Sequence, residues 1–158
     1  MGKILLIEDD GVMRNWIIGK LRNKHEVEIA NNYISAISRW NANAGFDCII
    51  LDLNTSPTGL DVHEVSRYFP IHGILVLDKI CEAKIPNGEE WEKWREKTLE
   101  EKKVEIWKKT IVFSGYTEVL KGKNEEFPNY KYLIKLIDKG KGNSVLKLME
   151  EVSDFFNR

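Results

Sequence analysis

The sequence predicts an α/β fold built on a parallel sheet. In the first 54 residues, short apolar runs alternate with amphipathic segments in the order β-α-β-α-β. That alternation requires parallel strands joined by right-handed crossovers. Core strands also end in side chains able to do chemistry: Glu8 and Asp9, Asp52, Ser114 and Lys135. Parallel strands bring such ends to one edge of the sheet, where open α/β folds place their ligand sites. With 158 residues, the chain is long enough for one full core and short for two. A single domain over residues 1–158 is therefore expected.

Lys3-Ile4-Leu5-Leu6-Ile7 is the first strand, closed by the acids Glu8-Asp9-Asp10. Asp10 or Gly11 can cap the helix that follows, where Val12, Trp16, Ile17 and Leu21 recur at helical spacing. His25 to Ala30 alternates and reads as the second strand. Asn31 or Asn32 then caps a helix carrying Ile34, Ile37 and Trp40 on one stripe and closing near Gly45. The run Cys48-Ile49-Ile50-Leu51 has the continuous apolarity of a strand buried on both faces, and it delivers Asp52 to its C-terminal end.

Asn54 to His72 holds two prolines and reads as loop, with a turn of helix near Val62–Tyr68. Ile74, Leu77 and Cys81 against polar Asp78, Lys79, Glu82 and Lys84 favour a helix over Gly73–Lys84, with a strand over Ile74–Leu77 as the alternative. Asn87-Gly-Glu-Glu90 has the pattern of a capping box opening a helix through about Lys109. Its seven acids and seven bases mark a solvated helix laced with side-chain pairs. Thr110–Ser114 is a buried strand, a short helix follows around Thr117–Lys123, and Tyr130–Lys135 is the last strand. After the turn Lys139-Gly-Lys-Gly-Asn143, Ser144 can cap a helix with Val145, Leu148, Met149, Val152, Phe155 and Phe156 on one face.

A formal net charge of −1 supplies no overall field to draw in nucleic acid or a membrane surface. Cys48 and Cys81 sit in apolar contexts without metal-ligand spacing and read as buried reduced thiols. No signal peptide or membrane-length apolar run is seen, so a cytoplasmic location is expected.

Glu8, Asp9 and Asp52 at one sheet edge repel each other, and a divalent cation relieves that repulsion. Mg²⁺ suits the hard oxygen donors. A metal held by Asp9 and Asp52, with Glu8 acting largely through water, would shield a phosphoryl group from the carboxylate that attacks it. Lys135 would supply a positive charge to a phosphoryl oxygen and Ser114 a hydrogen bond, which is most of what phosphoryl transfer needs. Each residue also has an ordinary reading: a turn or cap for Asp52, a helix-dipole partner for the acids, a turn for Ser114, a solvated strand end for Lys135. Their joint occurrence favours chemistry.

These residues resemble the response-regulator receiver domains of two-component signalling. Lys3-Ile-Leu-Leu-Ile-Glu-Asp-Asp resembles their opening strand and acidic pair. Ile50-Leu-Asp-Leu-Asn54 resembles the phospho-acceptor strand, Val112-Phe-Ser-Gly115 the strand with the switch hydroxyl, and Tyr132-Leu-Ile-Lys135 the strand with an aromatic three residues before the lysine. The resemblance implies a flavodoxin-like three-layer sandwich with strand order 2-1-3-4-5. It implies Mg²⁺-dependent transfer of a phosphoryl group from a histidine kinase or phosphotransfer protein to Asp52. Glu8, Asp9, Asp52 and the Asn54 main-chain carbonyl would be the metal ligands. Ser114 and Tyr132 would be the switch pair. Such a domain is not an enzyme beyond catalysing its own phosphorylation and dephosphorylation.

The chain departs from the family in three places. Asp52 and Ser114 are 62 residues apart, far more than usual, which implies insertions over about 55–72 and 85–109. Leu136 stands where the family has a proline after the lysine, and Pro57 falls one place late in the loop over the site. Trp91, Trp94, Val104, Ile106 and Trp107 in the second insertion either pack it onto the domain or form a docking surface for an output protein. Two alternatives accompany the receiver reading: a scaffold that binds a partner without phosphorylation, and a haloacid-dehalogenase-like phosphatase. Against the latter, the second acid those enzymes place two residues after the nucleophile is Asn54 here.

Overall fold

The computed structural model describes residues 1–42, 45–82 and 88–158, with Glu90 described by its backbone alone. Five strands, β1 (Lys3–Ile7), β2 (Glu26–Ala30), β3 (Cys48–Leu51), β4 (Thr110–Ser114) and β5 (Lys135–Asp138), form one parallel sheet in the order β2-β1-β3-β4-β5. β1, β3 and β4 are central, and their near-continuous apolar sequences follow from burial on both faces.

Period-two alternation divides the sheet between two cores. Leu5, Ile7, Ile49, Leu51 and Val112 face a cluster completed by α2 (Tyr33–Ala42), α4 (Leu75–Glu82), α5 (Glu92–Glu96) and α6 (Leu99–Lys108). Ile4, Leu6, Cys48, Ile50, Ile111 and Phe113 face the opposite cluster, completed by α1 (Gly11–Leu21) and α8 (Ser144–Phe156). The expected three-layer sandwich results. Both cysteines are free and buried, and burial pushes each thiol up to about 12. Among the described residues no helix is long and apolar enough to cross a membrane.

The caps resolve choices the sequence left open. Asp10 Oδ1 accepts from the N–H groups of Val12 and Met13 at 2.9 and 3.0 Å, so Asp10 caps α1. Those bonds hold its carboxyl below the usual carboxylate range. Asn32 starts α2 by accepting from Ser35 N–H at 2.8 Å. The loop after β3 contains α3 (Val62–Tyr68), and the described part of the Gly73–Lys84 segment is helical, a 3₁₀ turn at His72–Ile74 leading into α4, which ends at Glu82.

The inserted segment differs from the single helix expected. It comprises a 3₁₀ turn (Glu89–Trp91), α5 and α6, separated by an extended Lys97. Asn87, the cap of the expected Asn87–Glu90 box, lies outside the described residues. The capping box that forms is Thr98 with Glu101, each side chain bonding the other's backbone N–H, and it restarts the helix. Trp94 and Trp107 are buried, Trp94 lying 6.1 Å from Trp40 of α2, so they pack the insertion onto its own sheet.

The last strand also differs. Residues 128–132 form a 3₁₀ helix after α7 (Thr117–Lys121), and β5 begins at Lys135, where the sequence reading ended it. β5 is an edge strand, so Lys135 can lie within it, its side chain half exposed and its ammonium 3.1 Å from Glu151 of α8.

Candidate functional site

Glu8, Asp9 and Asp52 follow directly from the C-terminal ends of β1 and β3, which pair in register from Ile4–Cys48 to Ile7–Leu51. Each offers a carboxylate oxygen within 4.8 Å of the others'. Glu8 and Asp52 are buried and Asp9 is exposed, so the cluster opens to solvent on one side. Burial pushes the Glu8 carboxyl above its ordinary range, more than Lys139 pulls it down.

The lysine at this edge is Lys139. Its ammonium hydrogen-bonds Glu8 Oε2 and lies 3.2 Å from Asp52 Oδ2 and 5.5 Å from the centre of the Phe113 ring. Burial disfavours its charge, but Asp52 and Glu8 more than reverse this and hold its pKa above the ordinary lysine value. Lys135, assigned this role from sequence, is turned away: its side chain is 54% exposed and paired with Glu151. The strand register is the reason. β5 runs to Asp138, opposite Ser114 at the end of β4, so the first residue past the strand end is Lys139.

Ser114 closes β4, next to β3 in the sheet. Its hydroxyl is buried and accepts from Tyr116 N–H at 3.3 Å, while its carbonyl accepts from Lys139 N–H at 3.2 Å. Tyr132 is not in β5. It lies in the preceding 3₁₀ helix, beneath the ammonium groups of Lys108 (5.5 Å) and Lys131 (5.1 Å). The β5 residue three before Lys139 is Leu136, packed against the α2–α6 core. With the lysine reassigned, the residue after it is Gly140, and neither that bond nor the one before Leu136 is cis.

The loop after Asp52 is tied to the acids at both ends. Asn54 N–H donates to Asp52 Oδ1 at 3.4 Å and Ser56 N–H to Asp9 Oδ2 at 3.0 Å. Between them Thr55 is gripped by Tyr33 and His72, two residues outside the set that the sequence points to. A signal for both existed in principle, a tyrosine directly after a helix-cap asparagine and a histidine in an apolar segment, but neither is specific.

The arrangement fits a hard divalent cation in donor chemistry. Three carboxylates converge where one side is open, and a single ammonium offsets only part of their charge. Glu8, Asp9 and Asp52 could hold the ion.

Solved structures share this fold over nearly the whole chain. A response regulator receiver domain from Methanospirillum hungatei superposes with a TM-score of 0.61 at 16% identity, covering 99% of this chain and 94% of that one. The receiver domain of Francisella response regulator 1452 gives 0.62 at 18% identity, covering 100% and 98%. The non-phosphorylated HemR receiver domain from Leptospira biflexa gives 0.61 at 18% identity, covering 100% and 96%. No family model and no curated protein matches the chain. The sheet order, the two-faced helical packing and these superpositions establish that the chain has the CheY-like, flavodoxin-like fold of response-regulator receiver domains.

Proposed function

We propose that the chain is a receiver-type switch that accepts a phosphoryl group on Asp52. The observation that carries this reading is the pairing of Asp52 and Glu8 with the Lys139 ammonium at the end of the central strands. A nucleophilic carboxylate, a companion acid and a cation share one solvent-open edge. In the proposed step an Asp52 carboxylate oxygen attacks phosphorus and forms an acyl phosphate. The bond from phosphorus to the donor breaks, and its electron pair leaves with the donor's nitrogen or oxygen. Lys139 is placed to transfer its attraction from the Asp52 carboxylate to a phosphoryl oxygen, and the Ser114 hydroxyl can donate to another. Mg²⁺, held by Glu8, Asp9, Asp52 and the Asn54 carbonyl, would supply charge neutralisation at the phosphoryl oxygens.

The donor in this reading is a histidine kinase or phosphotransfer protein. Output is by protein contact, and since Trp94 and Trp107 are buried, they are not available to a partner; a contact through the 87–109 insertion would use the exposed polar residues of α5 and α6. We keep Ser114 as the switch hydroxyl and give Tyr132 no switch role, because it sits outside β5.

Incubation with acetyl phosphate and Mg²⁺, followed by intact mass measurement, tests the reading. A gain of one phosphoryl group that needs the metal and disappears in Asp52→Ala is expected. No gain at millimolar donor would leave a partner-binding scaffold as the better account. Sustained hydrolysis of a phosphomonoester, lost in Asp52→Asn, would instead identify a phosphatase.

A further inference from the structure

The peptide units flanking Thr55 are held by two buried side chains. Thr55 N–H donates to the Tyr33 hydroxyl at 3.2 Å, and the Thr55 carbonyl lies 2.9 Å from His72 Nε2. A carbonyl only accepts, so His72 carries its proton on Nε2. Its Nδ1 is buried and has no hydrogen-bond partner among the described residues. Burying a bare nitrogen is unfavourable, and a leucine or phenylalanine would fill the same space without that cost. The ring is fixed by stacking on Phe69 (5.7 Å, 5° between planes) and by the edge of Tyr33 (5.9 Å, 81°). Gly73 completes the clamp. Its N–H donates to the Leu53 carbonyl at 2.7 Å, and a Cβ there would meet the Tyr33 hydroxyl at 2.5 Å and the Asp52 and Leu53 carbonyls at 2.7 Å.

The geometry of a trans peptide gives this clamp a consequence. The Asn54 carbonyl and Thr55 N–H belong to one trans unit and point in opposite directions. Because Tyr33 draws the N–H into the core, the Asn54 carbonyl is turned away from the core. The same clamp steadies the loop whose Asn54 and Ser56 N–H groups bond Asp52 and Asp9. We infer that Tyr33 and His72 are positioning residues that set the divalent-cation affinity of the acidic site by fixing the peptide units around Thr55. The inference rests on the reading of Glu8, Asp9, Asp52 and the Asn54 carbonyl as that site.

Calorimetric titration of the metal-free chain with Mg²⁺ tests it, using wild type, Tyr33→Phe, His72→Leu, His72→Gln and Asp52→Asn. Tyr33→Phe removes one oxygen and keeps the ring. His72→Gln keeps a donor able to reach the Thr55 carbonyl, and His72→Leu does not. Outer-sphere partners typically alter metal affinity about 10- to 100-fold, so Tyr33→Phe and His72→Leu should weaken binding by roughly tenfold or more. His72→Gln should restore most of the loss. Metal-free thermal midpoints report the packing contribution separately, and if His72→Leu does not fold, Tyr33→Phe against wild type decides. Wild-type affinity in Tyr33→Phe, with Asp52→Asn unable to bind, would overturn the inference while leaving the metal site intact. No wild-type binding, or equal binding in Asp52→Asn, would overturn the metal site and the inference with it.

Discussion

The Lys139 ammonium lies 3.2 Å from Asp52 Oδ2 and also hydrogen-bonds Glu8, joining the ends of β1, β3 and β5 at one point. At 17% exposure this cation is largely enclosed with the two acids it serves. It offsets their repulsion in the resting site and is placed to bind the charge that a phosphoryl group would bring.

Replacing Lys139 should therefore have a chemical effect that replacing Lys135 does not. Lys139→Met is expected to slow acyl phosphate formation from acetyl phosphate by about 100-fold, the scale of losing one preorganised electrostatic contact in a transition state. Lys135→Met breaks only the exposed pair with Glu151 and should cost no more than about 1 kcal/mol of stability, with an unchanged rate. Single-turnover labelling of both variants checks this.

Glu8 and Lys139 give the metal-free protein a defined pH response. Both groups have raised pKa values in the folded state, so folding binds their protons more tightly than the unfolded chain does. The Glu8 contribution is fully present below its ordinary value of 4.5 and is lost as pH rises through its raised folded value. The Lys139 contribution persists to its ordinary value of 10.5 and is lost as pH climbs through its higher folded one. Glu8→Gln should flatten the acid-side change and Lys139→Met the alkaline one, measured by urea unfolding across pH without metal.

The insertion is held by its tryptophans and its internal cap. Trp107→Ala should destabilise the protein by about 3–5 kcal/mol, as expected for a large buried aromatic. Thr98→Ala should cost about 1 kcal/mol through loss of the capping box. Neither should change Mg²⁺ affinity, because the hydrogen bonds and ion pairs that hold the acids and their loop run through Tyr33, His72 and Lys139 rather than through either residue. Denaturant unfolding and metal titration of the same samples separate the two effects.

The parallel sheet was legible because buried strands write themselves as short apolar runs, and β1, β3 and β4 do so cleanly. The placement of Glu8, Asp9, Asp52 and Ser114 at one sheet edge was legible because Glu8 and Asp52 directly follow such runs, Asp9 comes next and Ser114 closes one. β5 was misplaced for a physical reason: Lys135 interrupts Leu133–Ile137, and only an edge strand with Glu151 nearby accommodates it. That error hid Lys139 in what reads as a turn and gave Tyr132 a strand position that it lacks. The Thr98 cap lay inside a charged stretch with continuous helical character. The roles of Tyr33 and His72 depend on contacts 22 and 17 residues away along the chain, which no local pattern encodes.

A phosphoryl group on Asp52 can be located by chemical trapping. The protein is treated with acetyl phosphate and Mg²⁺, reduced with borohydride to convert an acyl phosphate to the corresponding alcohol, digested and sequenced by mass spectrometry. Homoserine is expected at Asp52 and aspartate at Asp9. Reduction at another carboxylate, or at none while Mg²⁺ is bound, would contradict Asp52 as the acceptor.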